Sequence, residues 1–131
     1  MQGRASCSES TVNSWDVSDF FDNWTVQVRK GLLEFCVLNA LAEKERYGYE
    51  LVKTLAALPG LGVTEGTLYP LLSRLRVQGL VRTWLEESPE GPARKYYAIT
   101  HEGRKALAMM REYLDALNAG TGILRRKGGA E

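Results

Sequence analysis

The sequence is 131 residues long, with 44% hydrophobic and 25% charged residues. This composition is ordinary for a globular chain and supplies enough apolar surface for one domain with a buried core. No apolar run approaches the ~18 residues that a membrane-spanning helix needs, and residues 1–10 lack the apolar stretch of a secretory signal. Cysteine occurs only at Cys7 and Cys36, which do not form a CxxC pair. We therefore expect a cytoplasmic protein without disulfides or a membrane partner.

Charge is distributed unevenly along the chain, although the formal net charge is only +1. Residues 1–25 carry four acidic side chains against one arginine, whereas residues 64–111 carry eight basic against five acidic side chains. A strongly basic domain would be the usual sign of a nucleic-acid partner. The local basic excess is a weaker sign of the same kind, and it favours residues 64–111 as the place where such a partner would bind.

The N-terminal extension, residues 1–25, differs in composition from the rest of the chain. Residues 1–11 are small and polar, which favours disorder. The next stretch holds four large rings, at Trp15, Phe20, Phe21 and Trp24. Ser18 is suited to cap a short helix there. We expect an extension that is partly disordered and then forms a short aromatic helix.

Two helices are predicted next. Residues 26–43 are apolar on nearly every side, which is typical of a helix buried in a core or against another subunit. The stretch that follows, YGYELVKTLAALPGLG, predicts a second helix that Pro59 ends. We expect Tyr49, Val52 and Leu55 on its buried side.

The third helix is predicted within TEGTLYPLLSRLRVQGL, residues 64–80. Its leucines recur at helical spacing and form one apolar face: Leu68, Leu71, Leu72 and Leu75. Thr64 suits its N-terminal cap and Gly79 its C-terminal end. Pro70 would be the sixth helical residue, so either the helix adjusts around the ring or it begins only at Tyr69.

Two strand-like runs and a last helix complete the pattern. Residues 81–87 and 94–100 alternate in the way that half-buried strands do. The connector SPEGPA holds two prolines and a glycine, so we expect a hairpin whose loop is longer than two residues. Thr100 can cap the last helix, predicted over residues 101–118, which carries an apolar seam suited to another helix. Residues 119–131 are expected to form a flexible basic tail.

The order of these elements predicts the fold class. A short, glycine-containing turn between the second and third helices is typical of a helix-turn-helix. A hairpin directly after the third helix makes this a winged helix. We therefore expect a mainly α protein with a small β-hairpin: a winged helix-turn-helix over residues 26–100, followed by a dimerisation helix. The polar upper face of residues 64–76 would then enter a DNA major groove.

Three motifs give the chain a specific family resemblance. YGYE at residues 47–50, EGTLYPLLSRL at residues 65–75, and RKYYAIT at residues 94–100 with EG shortly after, occur in order and at matching separations. With these motifs the chain resembles the PadR family of bacterial winged-helix transcriptional regulators, over about residues 27–117. Its length and single C-terminal helix resemble the smaller branch of that family, which includes sensors of drug-like compounds. The resemblance implies a homodimeric repressor, joined through the first and last helices, that an effector or stress signal relieves.

Most predicted contacts to double-stranded operator DNA lie on the third helix, because helix-turn-helix proteins place base contacts in its N-terminal half. They are Thr64, Glu65, Gly66, Thr67, Tyr69, Ser73 and Arg74. The hydroxyl groups can hydrogen-bond to phosphates or base edges, and the arginine can bind a guanine or a phosphate. Alternatively, the polar face of the whole helix would be exposed to solvent without contacting DNA. Glu65 would either cap the helix or accept a hydrogen bond from a cytosine.

Four further DNA contacts are predicted outside this helix. Arg94 and Lys95, at the base of the wing, would contact a phosphate or the minor groove, or else pair with glutamates of the opposite strand. Tyr47 and Tyr49 open the second helix, where one would reach a phosphate and the other would pack. Gly48 between them is expected to permit a close approach of helices.

The last helix carries more apolar surface than a domain of this size can cover, which predicts a homodimer. The expected interface residues come from the first and last helices: Leu32, Phe35, Leu107, Met110, Tyr113, Leu114 and Leu117. The aromatic extension has two interpretations, because its rings would either pack across the dimer or wall a pocket for a flat hydrophobic effector. Candidate effector residues are Trp15, Phe20, Phe21, Trp24, Met109 and Tyr113.

An enzymatic function is poorly supported. His101 is the sole histidine and lies just inside a helix start, which is typical of exposed polar surface. Cys36 lies in an apolar helix and is expected to be an inert core thiol. The sequence shows no metal-ligand spacing and no phosphate-binding glycine loop, so we expect neither a metal nor a cofactor. The remaining competitor is a winged helix that binds another protein, which suits the modest net charge but not the polar third helix.

Overall fold

The computed structural model of the chain describes residues 16–129, with side chains through Arg126. The described part contains, in order, α1 (Val17–Glu43), β1 (Arg46–Tyr47), α2 (Gly48–Ala56), α3 (Glu65–Val77), β2 (Val81–Ser88), β3 (Gly91–Ile99) and α4 (His101–Gly129). The chain divides after Leu32 into two compact units, and α2, α3, α4 and the sheet belong to the second. The predicted order of three helices, a hairpin and a last helix is confirmed.

Helix α1 is longer than the sequence indicated. We expected a short aromatic helix ahead of a separate helix from residue 26, but one continuous helix begins at Val17. No proline interrupts this stretch. The Thr25 hydroxyl, near the expected boundary, donates to the backbone carbonyl of Asp22 at 2.8 Å within the helix. The hydroxyl at the expected break is thus hydrogen-bonded within the helix and does not end it.

The N-terminal cap of α1 is Asp16 rather than Ser18. The Asp16 carboxylate accepts the backbone N–H of Asp19 at 3.0 Å and the Ser18 hydroxyl at 3.0 Å. These two hydrogen bonds, with the Asp19 amide first, hold the pKa of Asp16 below its ordinary value. A carboxylate two residues before the predicted Ser18 therefore supplies the N-terminal cap by accepting a free backbone amide.

The core of the second unit is built from one face of each helix and the inner face of the sheet. Its largest fully buried side chains are Val37, Leu38, Leu41, Leu51, Leu55, Leu68, Leu72, Leu75 and Val81. The leucines of α3 are all buried, as their spacing predicted. In α2 the buried leucines are Leu51 and Leu55, whereas Tyr49 is more than half exposed. Tyr49 lies about 200° around the helix from Leu51, so burying the leucine turns the tyrosine outward.

The start of α3 is capped by two threonines. The Thr64 hydroxyl accepts the Thr67 amide at 3.3 Å, and the Thr67 hydroxyl accepts the Thr64 amide at 3.2 Å. This reciprocal pair is a capping box, so Thr67 rather than Glu65 completes the cap. Since the helix begins at Glu65, Pro70 lies inside it, and the alternative start at Tyr69 is wrong.

The end of α3 confirms the prediction for Gly79. Its φ of 82° lies in the left-handed region, which glycine adopts without a steric penalty. The Gly79 amide donates to the Arg76 carbonyl at 3.0 Å, and the Leu80 amide donates to the Leu75 carbonyl at 3.0 Å. These two bonds form a Schellman motif, which ends the helix and turns the chain into β2.

The sheet has three antiparallel strands in the order β1–β3–β2, one more strand than we predicted. A two-residue strand such as β1 leaves no alternation in the sequence, because alternation needs several residues. The loop between β2 and β3 is also shorter than expected, since only Pro89 and Glu90 connect them. Pairing continues to Ser88 and Gly91 because β3 accommodates one extra residue in a bulge. Pro92 lies in that bulge, where a strand tolerates a residue without an amide N–H.

Helix α4 begins as predicted but continues further. The Thr100 hydroxyl accepts the Gly103 amide at 3.0 Å and donates to the Gly79 carbonyl at 2.7 Å. The helix then runs to Gly129 instead of ending at residue 118, so the expected flexible tail is helical where it is described. Gly120 lowers helix propensity by about 1 kcal/mol relative to alanine, but no proline follows to stop the helix.

A buried arginine fixes the turn between α1 and α2. Arg46 is the one buried charged side chain in the described residues. Its guanidinium donates to the Ala40 carbonyl at 3.1 Å, to the Thr54 hydroxyl at 3.3 Å and to the Glu43 carboxylate. A buried cation needs such partners because removing it from water is costly. Arg46 therefore sets the position of β1 and of the tyrosine that follows it.

Candidate nucleic-acid interface

The outward face of α3 is polar and open. Successive helical residues are rotated by about 100°, so the side opposite the buried leucines carries Gly66, Pro70, Ser73 and Val77. All four are exposed, as are Thr64, Glu65 and Thr67 at the start of the helix. The predicted contacts of the N-terminal half of α3 are therefore accessible to a large partner. The Thr67 hydroxyl is occupied by the cap, which we did not foresee.

A cavity of about 420 Å³ lies where the start of α2, the middle of α3 and strand β3 meet. Six predicted DNA contacts line it together: Tyr47, Tyr49, Tyr69, Ser73, Arg94 and Lys95. Gly48 and Tyr97 complete the lining. The lining therefore holds two cations, several hydroxyls and no carboxylate. Residues from three separate motifs of the sequence come together in this one place.

Tyr69 forms one wall of the cavity by packing on the backbone of Gly48. A Cβ added at Gly48 would lie 2.9 Å from two atoms of the Tyr69 ring side chain, closer than real contacts allow. The expectation that Gly48 permits a close approach is confirmed. Burial, and secondarily the negative charge of Glu65, raises the pKa of Tyr69 above its ordinary value. A tyrosine phenol is neutral at physiological pH even at its ordinary pKa, so the raised value keeps it neutral and able to donate its O–H.

Arg94 is held at the rim of the cavity by an aromatic ring. Its guanidinium lies 4.4 Å from the centre of the Tyr47 ring, a cation–π contact. Glu86 is its direct neighbour across the hairpin, but the ion pairs found among the described residues include neither Arg94 nor Lys95. The cross-strand pairing that we considered for these cations is therefore not formed.

The Tyr47 ring belongs to a row of aromatic side chains across the outer face of the sheet. The Tyr47 and Tyr96 rings are 5.7 Å apart, and the Tyr96 and Trp84 rings stack at 5.9 Å. The Arg82 guanidinium lies 4.6 Å from the Trp84 ring at the far end. We missed this row because it depends on the register of three strands, one of them unpredicted. Correct pairing of Trp84 with Tyr96 would have been the only signal for it.

Arg74 does not line the cavity. Its Nη2 donates to Glu34 Oε2 of α1 at 3.1 Å, although we predicted it only as a DNA contact. Tyr49 reaches the cavity rim and has the Lys53 ammonium 5.5 Å from its ring centre. The predicted DNA contacts thus divide into those around the cavity, those on the open start of α3, and Arg74 on a flank of the helix.

Helix α4 exposes an apolar face. Tyr113 is 66% exposed, Met109 and Leu117 are also exposed, and Met110 and Leu114 are half-buried. Leu107 differs, because it is only 3% exposed and lies in the hydrophobic core of the chain itself. It is therefore not free to contact a partner, which corrects its place in the predicted interface. On α1, Leu32 and Phe35 are half-buried.

The aromatic residues at the start of α1 are exposed as well. Phe20, Phe21 and Trp24 are each more than half exposed, and the Phe21 and Trp24 rings are 6.3 Å apart. Trp15 lies outside the described residues. The structure thus shows an apolar surface on this segment, while its predicted role against a partner or an effector stays a prediction.

A second cavity, of about 550 Å³, lies among α1, α2 and α4 and was not predicted. Cys36 lines it beside Asn39, Arg104 and Arg111. Arg111 donates to the Asn39 side-chain oxygen at 2.6 Å, which links α4 to α1. Burial raises the pKa of the Cys36 thiol, which disfavours the reactive thiolate.

The described residues show neither a membrane-spanning helix nor a cluster of metal-ligating side chains. None of their helices combines the length and apolarity needed to span a lipid bilayer. Within the same part of the chain, no three histidine, cysteine or carboxylate side chains are grouped as a metal site would require. His101 is exposed at the first position of α4.

Comparison with known proteins gives one family. The model of the Transcriptional regulator PadR-like family matches residues 37–109. A PadR family transcriptional regulator from Eggerthella lenta is 36% identical, with a TM-score of 0.72, over 82% of this chain and 93% of that one. A PadR-like regulator from Bacillus cereus is 37% identical, with a TM-score of 0.69, over 75% and 95% of the two chains.

A comparison of sequences also identifies a transcriptional regulator as a relative. The transcriptional regulator Rv3488 of Mycobacterium tuberculosis is 33% identical over 91 residues, which is 70% of this chain and 83% of the relative. These relatives are transcriptional regulators rather than enzymes, so the predicted lack of an enzymatic function is confirmed, as is the winged-helix fold class. The chain belongs to the PadR-like family of transcriptional regulators.

Proposed function

We propose that this regulator binds specific operator DNA as a homodimer, with α3 in the major groove and the wing against the backbone. The observation that carries the proposal is the set of hydroxyl and cationic side chains around the cavity between α2, α3 and β3. It gathers the tyrosines of the YGYE motif, Tyr69 and Ser73 of α3, and Arg94 and Lys95 of β3. We infer that a DNA phosphate binds there, because such a group accepts hydrogen bonds from hydroxyls and cations alike.

The electrostatics of the cavity support an anionic ligand. Its lining contains a guanidinium and an ammonium but no carboxylate. The neutral Tyr69 phenol can add a hydrogen-bond donor at one wall. A phosphate fixed here would place the neighbouring groove beside the open start of α3. Thr64, Glu65, Gly66 and Thr67 would then be the residues nearest to base edges.

Dimerisation is the second part of the proposal. Winged helices read two half-sites when two subunits are joined, and the spacing of the half-sites follows the geometry of the dimer. The exposed face of α4, with Met109, Tyr113 and Leu117, is the surface that we assign to the partner subunit. Covering it removes apolar side chains from water, which is the main favourable term in association.

The regulator is proposed to act in the cytoplasm as a repressor that a small hydrophobic effector or a stress signal relieves. The exposed rings of Phe20, Phe21 and Trp24 support a flat aromatic effector as much as a structural contact. A winged helix that binds another protein remains the competing function, and the modest net charge of +1 suits it. The polar rather than apolar centre of the α3 face argues against it.

The test is binding to the upstream region of the gene itself. We would measure fluorescence anisotropy with that fragment and with a shuffled fragment of equal length, between about 50 and about 200 mM salt. Specific binding that weakens with salt is expected. In the double variant Arg94→Ala/Lys95→Ala the salt slope should fall by about one for each cation that contacts a phosphate.

The matched control is Arg125→Ala/Arg126→Ala, which removes the same charge from exposed positions of α4. It should leave sequence discrimination and most of the affinity unchanged. Equal losses of affinity in both double variants would mean that DNA binding depends on the net charge of the protein and not on contacts made by Arg94 and Lys95. Absence of binding to either fragment would favour the protein-interaction function instead.

A further inference from the structure

One ion pair joins the third helix to the first. Arg74 lies about 100° around α3 from Ser73, on a flank of the outward face. From there its Nη2 donates to Glu34 Oε2 at 3.1 Å, across 40 positions of sequence. Both residues belong to the second compact unit. The contact therefore links the helix that we assign to DNA with a helix that we assign partly to the dimer.

The contact holds the guanidinium without enclosing it. Arginine has five N–H donors in a planar fork, and in the described residues the single hydrogen bond recorded for this guanidinium is the one to Glu34. The Arg74 side chain is 55% exposed, whereas the Glu34 side chain is 32% exposed. The better-packed carboxylate can thus orient the more exposed cation while leaving its other donors free.

We propose that Glu34 is a positioning residue for DNA recognition: it fixes the Arg74 guanidinium so that the free donors meet the DNA. The inference rests on the DNA-binding function proposed above. An arginine without such a contact samples many rotamers, and ordering one of them on binding lowers affinity. With Glu34 in place, that ordering has already happened in the free protein. Glu34 itself contacts no DNA in this arrangement.

Fold stability is not the main role of this pair. Ion pairs between partly exposed side chains contribute little to the free energy of unfolding, because water screens them. Removing Glu34 should therefore leave the melting temperature nearly unchanged. A change in affinity without a change in melting temperature is the result that separates positioning from a structural role.

The experiment compares Glu34→Ala and Glu34→Gln in the full chain, with the specific operator fragment and the shuffled fragment. Glu34→Ala should weaken operator binding by about 2- to 10-fold, the usual factor for ordering one long side chain. Glu34→Gln should lose less, because its side-chain oxygen still accepts the Arg74 N–H. The charge of Arg74 is kept in both variants, so the salt slope on shuffled DNA should not change.

Two further variants show whether the effect passes through Arg74. In an Arg74→Ala background, Glu34→Ala should cause no additional loss, because the residue that it positions is absent. The control for removing a surface carboxylate is Glu102→Ala, whose partner Lys105 lies 3.6 Å away on α4. This control should bind operator like the wild type.

Three outcomes would overturn the proposal. Operator binding equal to or tighter than wild type in Glu34→Ala would mean that the carboxylate does not assist Arg74, or competes with the DNA for it. A loss that persists in the Arg74→Ala background would mean that Glu34 acts by another route. An equal loss of operator affinity in Glu102→Ala would mean that the affinity depends on the net charge of the protein and not on the position of Glu34. A wild-type chain that binds no DNA would instead refute the proposed function.

Discussion

Large apolar side chains occur in two very different settings in this protein. Leu38 and Leu72 in the winged helix are at most 1% exposed, whereas Trp24 of α1 is 54% exposed and Tyr113 of α4 is 66% exposed. Chemically the two groups are similar, and both lie on helices. Within the winged helix, the leucines of α2 and α3 are all buried by the chain itself. The long helices carry apolar residues that one copy of the chain leaves in water, which is the usual mark of an interaction surface.

Helix length accounts for the difference. Helices α2 and α3 have 9 and 13 residues, and all of their leucines are buried. Helices α1 and α4 have 27 and 29 residues, which at about 1.5 Å per residue is roughly 40 Å. Both helices carry large apolar side chains that the described chain leaves exposed.

The largest effect is expected from charging the exposed face of α4. Tyr113→Glu with Leu117→Glu should convert dimers to monomers without unfolding the winged helix. Each buried side chain is worth roughly 1.5–3 kcal/mol, and two are lost from each of two subunits, so dimerisation should weaken by about 6 kcal/mol or more. Sedimentation velocity at micromolar concentration measures this directly.

The matched control places the same charges on the opposite face of α4. Ala108→Glu with Ala119→Glu adds two carboxylates beside Glu112 and Asp115 and should remain dimeric. A wild-type chain that sediments as a monomer would refute the dimer. Dissociation of the control as well would mean that charge alone, rather than the apolar face, was responsible.

The next effect concerns the aromatic surface of α1. Trp24→Ala should weaken the dimer by about 3 kcal/mol or more if the partner covers the ring in both subunits. Asn23→Ala, at the neighbouring exposed position, should have no such effect. A variant that stays dimeric and binds DNA, but is no longer released by aromatic ligands, would support an effector pocket. If Trp24→Ala changed neither property, both interpretations would be wrong.

Within the core, Leu72→Ala should lower the free energy of unfolding by about 2–5 kcal/mol, because it leaves a cavity in a fully packed region. Leu124→Ala on the exposed side of α4 removes the same atoms from a side chain that is largely in water. Its effect on monomer stability should stay within about 0.5 kcal/mol. Urea unfolding at one fixed protein concentration compares the two, since dimerisation makes stability depend on concentration. Equal losses would contradict the distinction between the two settings.

The smallest effects come from the two arginines at the ends of the aromatic row. Arg82 and Arg94 make similar cation–π contacts, at 4.6 Å and 4.4 Å from their rings. Replacing either by alanine should lower stability by about 0.5–1 kcal/mol. Of the two, Arg94 alone lines the cavity between α2, α3 and β3, so only Arg94→Ala should also lower the salt slope of DNA binding, by about one. An equal change in slope for Arg82→Ala would show that the cavity does not select the phosphate contact.

Local patterns in the sequence predicted most of the fold. The leucine spacing of α3, its Thr64 cap and the Gly79 terminus were all predicted correctly, because each depends on residues within one or two helical turns. The buried side of α2 was misjudged at Tyr49, since its few apolar residues fit more than one helical face. The strand β1 and the two-residue hairpin loop were missed because both depend on the pairing register of β3.

In the candidate site, too, local features were predicted and contacts between distant segments were not. The motifs identified Tyr47, Tyr69 and Arg94 as separate candidates, but nothing in their spacing placed them around one cavity. The ion pair of Arg74 with Glu34 was equally invisible, since the two residues are 40 positions apart. Leu107 was assigned to the wrong surface because helical periodicity shows which residues share a face, not how far along the helix the core extends.

By itself, the sequence determined the order of the helices and the hairpin, the caps of α3 and α4, and the polar character of α3. These properties follow from local backbone preferences and side-chain periodicity, which act over a few residues. The tertiary structure decided which apolar residues are covered, where Arg74 is held, and that tyrosines, a serine and two cations meet at one cavity. Those properties depend on contacts between segments far apart in the chain, and such contacts exist only once the helices and the sheet have packed.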